Sequence, residues 1–158
     1  MKVELWLIGK TSFGYIKEGM EIYQKRLTHY LPFEVSIIPD IKNVKNLRPN
    51  QIKVKEGATI NSKLKKEDFL ILLDERGKHF SSVEFAKFLD QKLQMSYKKI
   101  VFLVGGAYGF SEDIYKRANS KLSLSKMTFS HQMIRLFVLE QIYRGMTILR
   151  NEPYHNEG

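Results

Sequence analysis

Lys99-Ile-Val-Phe-Leu-Val-Gly-Gly-Ala-Tyr-Gly109 is an apolar run that breaks into glycines. Its continuous apolar character is that of a strand buried on both faces, which occurs mostly in parallel sheets. Glycines at its carboxyl end let backbone N–H groups come close to a ligand. In an open α/β sheet, ligands bind beyond the carboxyl ends of the strands. The turn is not the dinucleotide fingerprint, which needs G-x-G-x-x-G and a later acid. By itself it is equally a plain tight turn.

Upstream, Val3 to Ile8 and Asp68 to Leu73 read as two more buried strands, and Phe33 to Ile38 alternates like a further one. Helical spacing covers Tyr15 to His29, ended by Leu31-Pro32. Gln51 to Leu64 is a weak helical segment interrupted by Gly57. Ser81-Ser-Val-Glu84 is a capping box opening a helix to about Met95. Asp74 to Lys78 reads as a charged turn, and the basic stretch from Ile41 to Pro49 as a loop. Downstream, Ser111-Glu-Asp113 caps another helix and Leu122-Ser-Leu124 is a short strand. His131 to Leu149 forms the last helix, with Asn151 suited to the left-handed position after it. Strands alternating with helices predict one α/β domain, residues 1–158, with a mostly parallel sheet.

Composition narrows the function. With no cysteine among 158 residues, disulfides, zinc thiolates and thiol nucleophiles are excluded. No two-histidine spacing suggests a metal site. No apolar run has membrane-spanning length and no signal-peptide pattern follows the N-terminus, so a cytoplasmic protein is expected. Gly9-Lys10-Thr11 invites a phosphate-loop reading, but Glu4 stands where that motif needs glycine. A net charge of +9 favours an anionic partner, and nucleic acid is the commonest.

Three loops, at Leu73, at Gly105 and from Leu124 to Phe129, would meet at one edge of the sheet. The last offers hydroxyls and backbone but no acid, which suits a ligand such as adenosine; local turn-making is the alternative use of Ser125 and Thr128. The final helix is apolar almost all round, which points to burial on a second side by another copy of the chain. Glu140 with Arg144, and by position His131 with Arg135, are spaced to pair along it. Beyond it, Tyr154 and His155 are either a frayed end or an aromatic and a base beside a cleft.

Taken together, Leu73-Asp-x-x-Gly-Lys-x-x-Ser-Ser82, Phe102-x-Val-Gly-Gly-x-x-Gly109, Leu122-Ser-x-Ser-x-x-Thr-x-x-His131, Arg135, Glu140-Gln-x-Tyr-Arg144 and Pro153-Tyr-His155 closely resemble the RlmH family. These are SPOUT-class methyltransferases of bacterial large-subunit ribosomal RNA. The motifs span essentially the whole chain. The resemblance implies a C-terminal trefoil knot over about 68–150, an obligate homodimer and S-adenosylmethionine as methyl donor. It implies N3-methylation of a pseudouridine in the helix 69 loop of 23S rRNA, on the assembled 70S ribosome. The family's donor-binding positions fall on Leu73, Gly105, Leu124, Ser125, Lys126, Met127, Thr128 and Phe129. Arg144, Tyr154 and His155 are the catalytic candidates, with no metal. Ser130 stands where many members have proline, and Gly145 where many have alanine. The competing readings are a non-catalytic basic RNA- or ribosome-binding protein and a nucleotide enzyme of the same α/β class.

Overall fold

A computed structural model describes residues 1–156. The elements are β1 (Lys2–Ile8), α1 (Gly14–Leu27), β2 (Phe33–Ile38), α2 (Pro49–Lys63), β3 (Asp68–His79), α3 (Ser82–Leu93), β4 (Lys99–Val104), α4 (Glu112–Arg117), β5 (Ser120–Ser123) and α5 (Met133–Leu149). The five strands form one sheet in the order β2-β1-β4-β3-β5, and every pairing is parallel. The α/β layout with a parallel sheet expected from the sequence is present. No helix among the described residues is long and apolar enough to cross a membrane.

Strand alternation sorts the core into two layers. Val3, Leu5, Leu7, Ile100 and Phe102 point to one face, where α1, α3 and α5 cover them with Ile16, Leu89, Val138, Leu139 and Ile142. Trp6, Ile8, Leu70, Leu72, Val101 and Leu103 point to the other, beneath Ile60 of α2 and Ile114 of α4. At about 25 cal/mol per Å² of buried apolar surface, these layers are the main source of stability. The α3 capping box forms as read: Glu84 N–H donates to Ser81 Oγ (3.1 Å) and Ser81 N–H to Glu84 Oε1 (2.8 Å). Gly57 is required inside α2 because a Cβ there would sit 2.5 Å from Ser111 Oγ of the α4 cap. Gly145 is not under that pressure: a Cβ would meet Leu89 at an ordinary 3.6 Å.

Several boundaries differ from the sequence reading. The segment Asp74–Lys78 is not a turn but part of β3, which runs on to His79. The register shifts there: Leu73 and Lys78 both oppose Leu122, so the intervening residues bulge outward. Polar residues with low strand propensity concealed the continuation. β5 is Ser120–Ser123, so Leu124 already belongs to the loop. α5 starts at Met133 rather than His131, its first turn held by Met133 N–H donating to Ser130 Oγ (3.1 Å). The loop from Ile41 to Pro49 includes a single 3₁₀ turn, Val44–Asn46, and Pro49 is already the first residue of α2. Asn151 does take the left-handed conformation expected of it (φ 55°).

Candidate functional site

At the carboxyl ends of β4 and β5, beside the bulge of β3, lies a cavity of about 650 Å³. That is within the usual 300–1,000 Å³ of small-molecule sites. Seven of the eight expected donor-binding positions line it: Leu73, Gly105, Leu124, Ser125, Met127, Thr128 and Phe129. Lys126, on the same loop, does not.

Glycine shapes one wall. Gly109 has φ +82°, and its N–H donates to Gly106 O (3.2 Å), which closes the turn. A Cβ at Gly105 would press on the Phe110 ring at 3.1 Å. A Cβ at Gly106 would lie 2.9 Å from the Glu56 carboxylate. Glu56, on α2, is buried beneath this turn; burial, and then the charge of Asp40, hold its carboxyl above the usual carboxylate range.

The opposite wall is the 124–129 loop. Its hydroxyls are used internally. Ser123 Oγ donates to Ser125 O (2.8 Å), and Met127 N–H donates to Ser125 Oγ (3.0 Å). Thr128 Oγ1 donates to Glu75 Oε2 (2.7 Å) across the mouth of the cavity. The turn-making use of Ser125 is therefore realised. The bulge of β3 brings in residues that the sequence reading did not assign to the site: Asp74, Glu75 and Arg76. Asp74 accepts hydrogen bonds from the Tyr115 hydroxyl and from the Arg76 backbone N–H (2.8 Å). Burial and that carboxylate raise the Tyr115 phenol. Lys53 of α2 and Ile134 of α5 also line the cavity. Lys53 lay in the weakly periodic α2 segment, and no motif marked it.

The three catalytic candidates come together elsewhere. Arg144 Nε and Nη2 donate to Glu140 Oε1 (3.1 and 2.6 Å), and Arg144 Nη1 lies 3.1 Å from His155 Nδ1. Tyr154 donates to the same Glu140 oxygen (2.9 Å), and the Arg144 guanidinium lies 4.7 Å from the Tyr154 ring centre. The hydrogen bond to Glu140 holds the Arg144 guanidinium above its ordinary value. Burial, then Tyr23 and Glu140, raise the Tyr154 phenol. Gln141 links the cluster to α3, donating to Glu140 Oε2 (3.0 Å) and accepting from Ser82 Oγ (2.8 Å). None of Arg144, Tyr154 and His155 lines the 650 Å³ cavity of its own chain.

Arg135 is different again. Its side chain is wholly buried and does not pair with the His131 ring. Its guanidinium instead donates to His131 O, Ile8 O, Gly9 O and Thr11 Oγ1. Gly9-Lys10-Thr11, rejected as a phosphate loop, is thus the seat of a buried arginine. Among the described residues, no group of acids and histidines is arranged to hold a metal ion.

The family model described as "Predicted SPOUT methyltransferase" matches residues 1–155. The chain belongs to the SPOUT methyltransferase family. Among curated relatives, it is 59% identical to the "Ribosomal RNA large subunit methyltransferase H" of Parabacteroides distasonis, over 99% of this chain and 100% of that one. It is 57% identical to the protein of the same name from Flavobacterium johnsoniae, over the same shares. The Christiangramia forsetii protein, also so named, is 53% identical over 99% of each chain. This SPOUT methyltransferase is therefore aligned with those relatives along nearly its whole length, including the glycine turn, the 124–129 loop and the cluster on α5.

Proposed function

We propose that the protein transfers a methyl group from S-adenosylmethionine to large-subunit ribosomal RNA. The target in this reading is N3 of a pseudouridine in the helix 69 loop of 23S rRNA, on the assembled ribosome. The observation that carries the reading is the convergence of seven of the expected donor-binding positions on one cavity. The names of the relatives support the rRNA substrate. The net charge of +9 supports affinity for it.

The cavity fits the donor. It has room for a nucleoside with an amino-acid tail, glycine backbone along one wall, and a loop in which the Ser125 and Thr128 oxygens already make hydrogen bonds. Leu73, Gly105 and the 124–129 loop hold the adenosine; Phe129, Val104 and Ile134 supply apolar lining. When bound, the donor supplies an electrophilic methyl on a sulfonium centre. The remaining work is largely positioning. Arg144 holds a phosphate or the flipped base. Tyr154 and His155 complete the acceptor pocket, and the N3 proton leaves to His155 or to water. Because these three lie outside the cavity of their own chain, the reading places two chains in each active unit, with the pocket of one facing the α5 cluster of the other. The β3-to-α5 region, about 68–150, is threaded in this reading as the trefoil knot of its class.

A thermal shift tests the donor site. S-adenosylmethionine or S-adenosylhomocysteine at 100-fold over its dissociation constant should stabilise the protein by about 2.7 kcal/mol. No shift at millimolar ligand would sink the donor assignment. A protein that only binds RNA would show salt-dependent binding without that shift, and a nucleotide enzyme would exchange the donor for ATP in competition. For the acceptor side, His155→Ala is expected to slow methylation of ribosomes at least tenfold, read as incorporation of labelled methyl. An unchanged rate removes His155 from the site.

A further inference from the structure

Residues that follow a terminal helix usually fray. Here the tail folds back on α5. Asn151 reverses the chain, and Glu152 N–H donates to Thr147 O (2.9 Å). The Glu152 carboxylate accepts a hydrogen bond from the Tyr30 hydroxyl (2.5 Å), on a residue 122 positions earlier. That hydrogen bond pushes the Tyr30 phenol up to about 12, so it keeps its proton throughout the physiological range.

Tyr30 is itself fixed. It sits in the turn between α1 and β2, with its N–H donating to Leu27 O (2.9 Å). The Arg150 guanidinium lies 4.5 Å from its ring centre and donates to its carbonyl (3.4 Å). The Tyr30 ring meets Tyr143 edge-on (5.8 Å, 81°), and Tyr143 meets Tyr154 edge-on (4.7 Å, 76°). Two routes thus lead from Tyr30 to Tyr154: one through Glu152, two residues before it in the chain, and one through the ring of Tyr143.

We propose that Tyr30 and Glu152 are positioning residues for the acceptor site: their hydrogen bond fixes the tail so that Tyr154 and His155 meet Arg144 and Glu140 in one arrangement. This rests on the reading of Arg144, Tyr154 and His155 given above. Neither residue touches the reacting atoms. Their effect passes through the tail.

Tyr30→Phe keeps the ring and its contacts with Tyr143 and Arg150 while deleting the hydroxyl; Glu152→Ala removes the carboxylate that accepts from it. In the intact protein, each variant is expected to lower the rate on ribosomes at saturating S-adenosylmethionine about tenfold. Donor affinity, read by calorimetry, should stay within twofold. The double variant should be no slower than the worse single one, because both delete the same bond. Amide hydrogen exchange in 151–156 should quicken about tenfold, with α5 protection unchanged.

Wild-type rates in both variants overturn the proposal, and so does a loss of rate matched by an equal loss of donor affinity. The exchange measurement separates this proposal from the functional reading. If His155→Ala is fully active but exchange quickens as stated, the acceptor assignment has failed while the tail is still tethered. If exchange is unaltered, the tether itself is refuted.

Discussion

Arg135→Ala is expected to destabilise the protein by about 4 kcal/mol, the sum of a cavity and of buried carbonyls left without donors. For a chain of this size the melting temperature should fall by on the order of 10 °C. The reason lies in where the guanidinium is spent. Nη2 donates to Ile8 O (2.7 Å), Nη1 to Gly9 O (2.9 Å) and Thr11 Oγ1 (3.1 Å), and Nε to His131 O (3.1 Å). One side chain therefore ties the end of β1 to the start of α5. Burial lowers the Arg135 pKa, and the charge of Asp40 opposes that shift. Arg135→Lys should recover only part of the loss, since a single ammonium cannot span the same set of carbonyls. Thermal or urea denaturation decides it. A melting temperature within about 2 °C of wild type for the alanine variant would remove the structural role assigned here.

Gly77→Ala should be nearly as harmful, by about 3 kcal/mol. Gly77 lies in the bulge of β3, where a Cβ would sit 2.7 Å from Leu122 N and 2.7 Å from the carbonyl carbon of Lys121. Both are backbone atoms of β5, so no rotamer change relieves the collision. Alanine in place of glycine ordinarily gains about 0.4–1 kcal/mol by restricting the unfolded chain, which is too little to offset a strand-on-strand clash. β5 would have to move off β3, and the 124–129 loop follows directly from β5. The variant should therefore lose donor affinity along with stability, measured by calorimetry and by denaturation. A stable Gly77→Ala protein with wild-type donor affinity would show that the β3–β5 approach is looser than described.

Much of this architecture is legible in the chain because it is set by neighbours in sequence. Apolar runs gave the strands, Ser81 and Glu84 gave a helix start, and the four-residue spacing of Glu140 and Arg144 gave an ion pair seen at 2.6 Å. What was not legible depends on distant partners. Arg135 finds Ile8 and Gly9 more than 120 residues away. The strand continuation through Asp74 to Gly77 is imposed by β5 against local propensity. Glu56 reaches the glycine turn, and Lys53 the cavity, from a helix whose apolar pattern is too faint to orient. The seven cavity positions came from the family resemblance. Composition and periodicity located the loops but did not show that Ser125 would bond Met127 N–H and Thr128 would bond Glu75.

α5 carries Ile134 in the cavity wall and Arg144 in the polar cluster, ten residues further on. At 1.5 Å per residue these stand about 15 Å apart along one stiff rod. Each polypeptide would then own two half-sites it cannot unite by bending. Under the two-chain arrangement proposed above, a chain crippled in its glycine turn, mixed with one lacking Arg144, should regain turnover through hybrid assemblies that neither parent preparation can form.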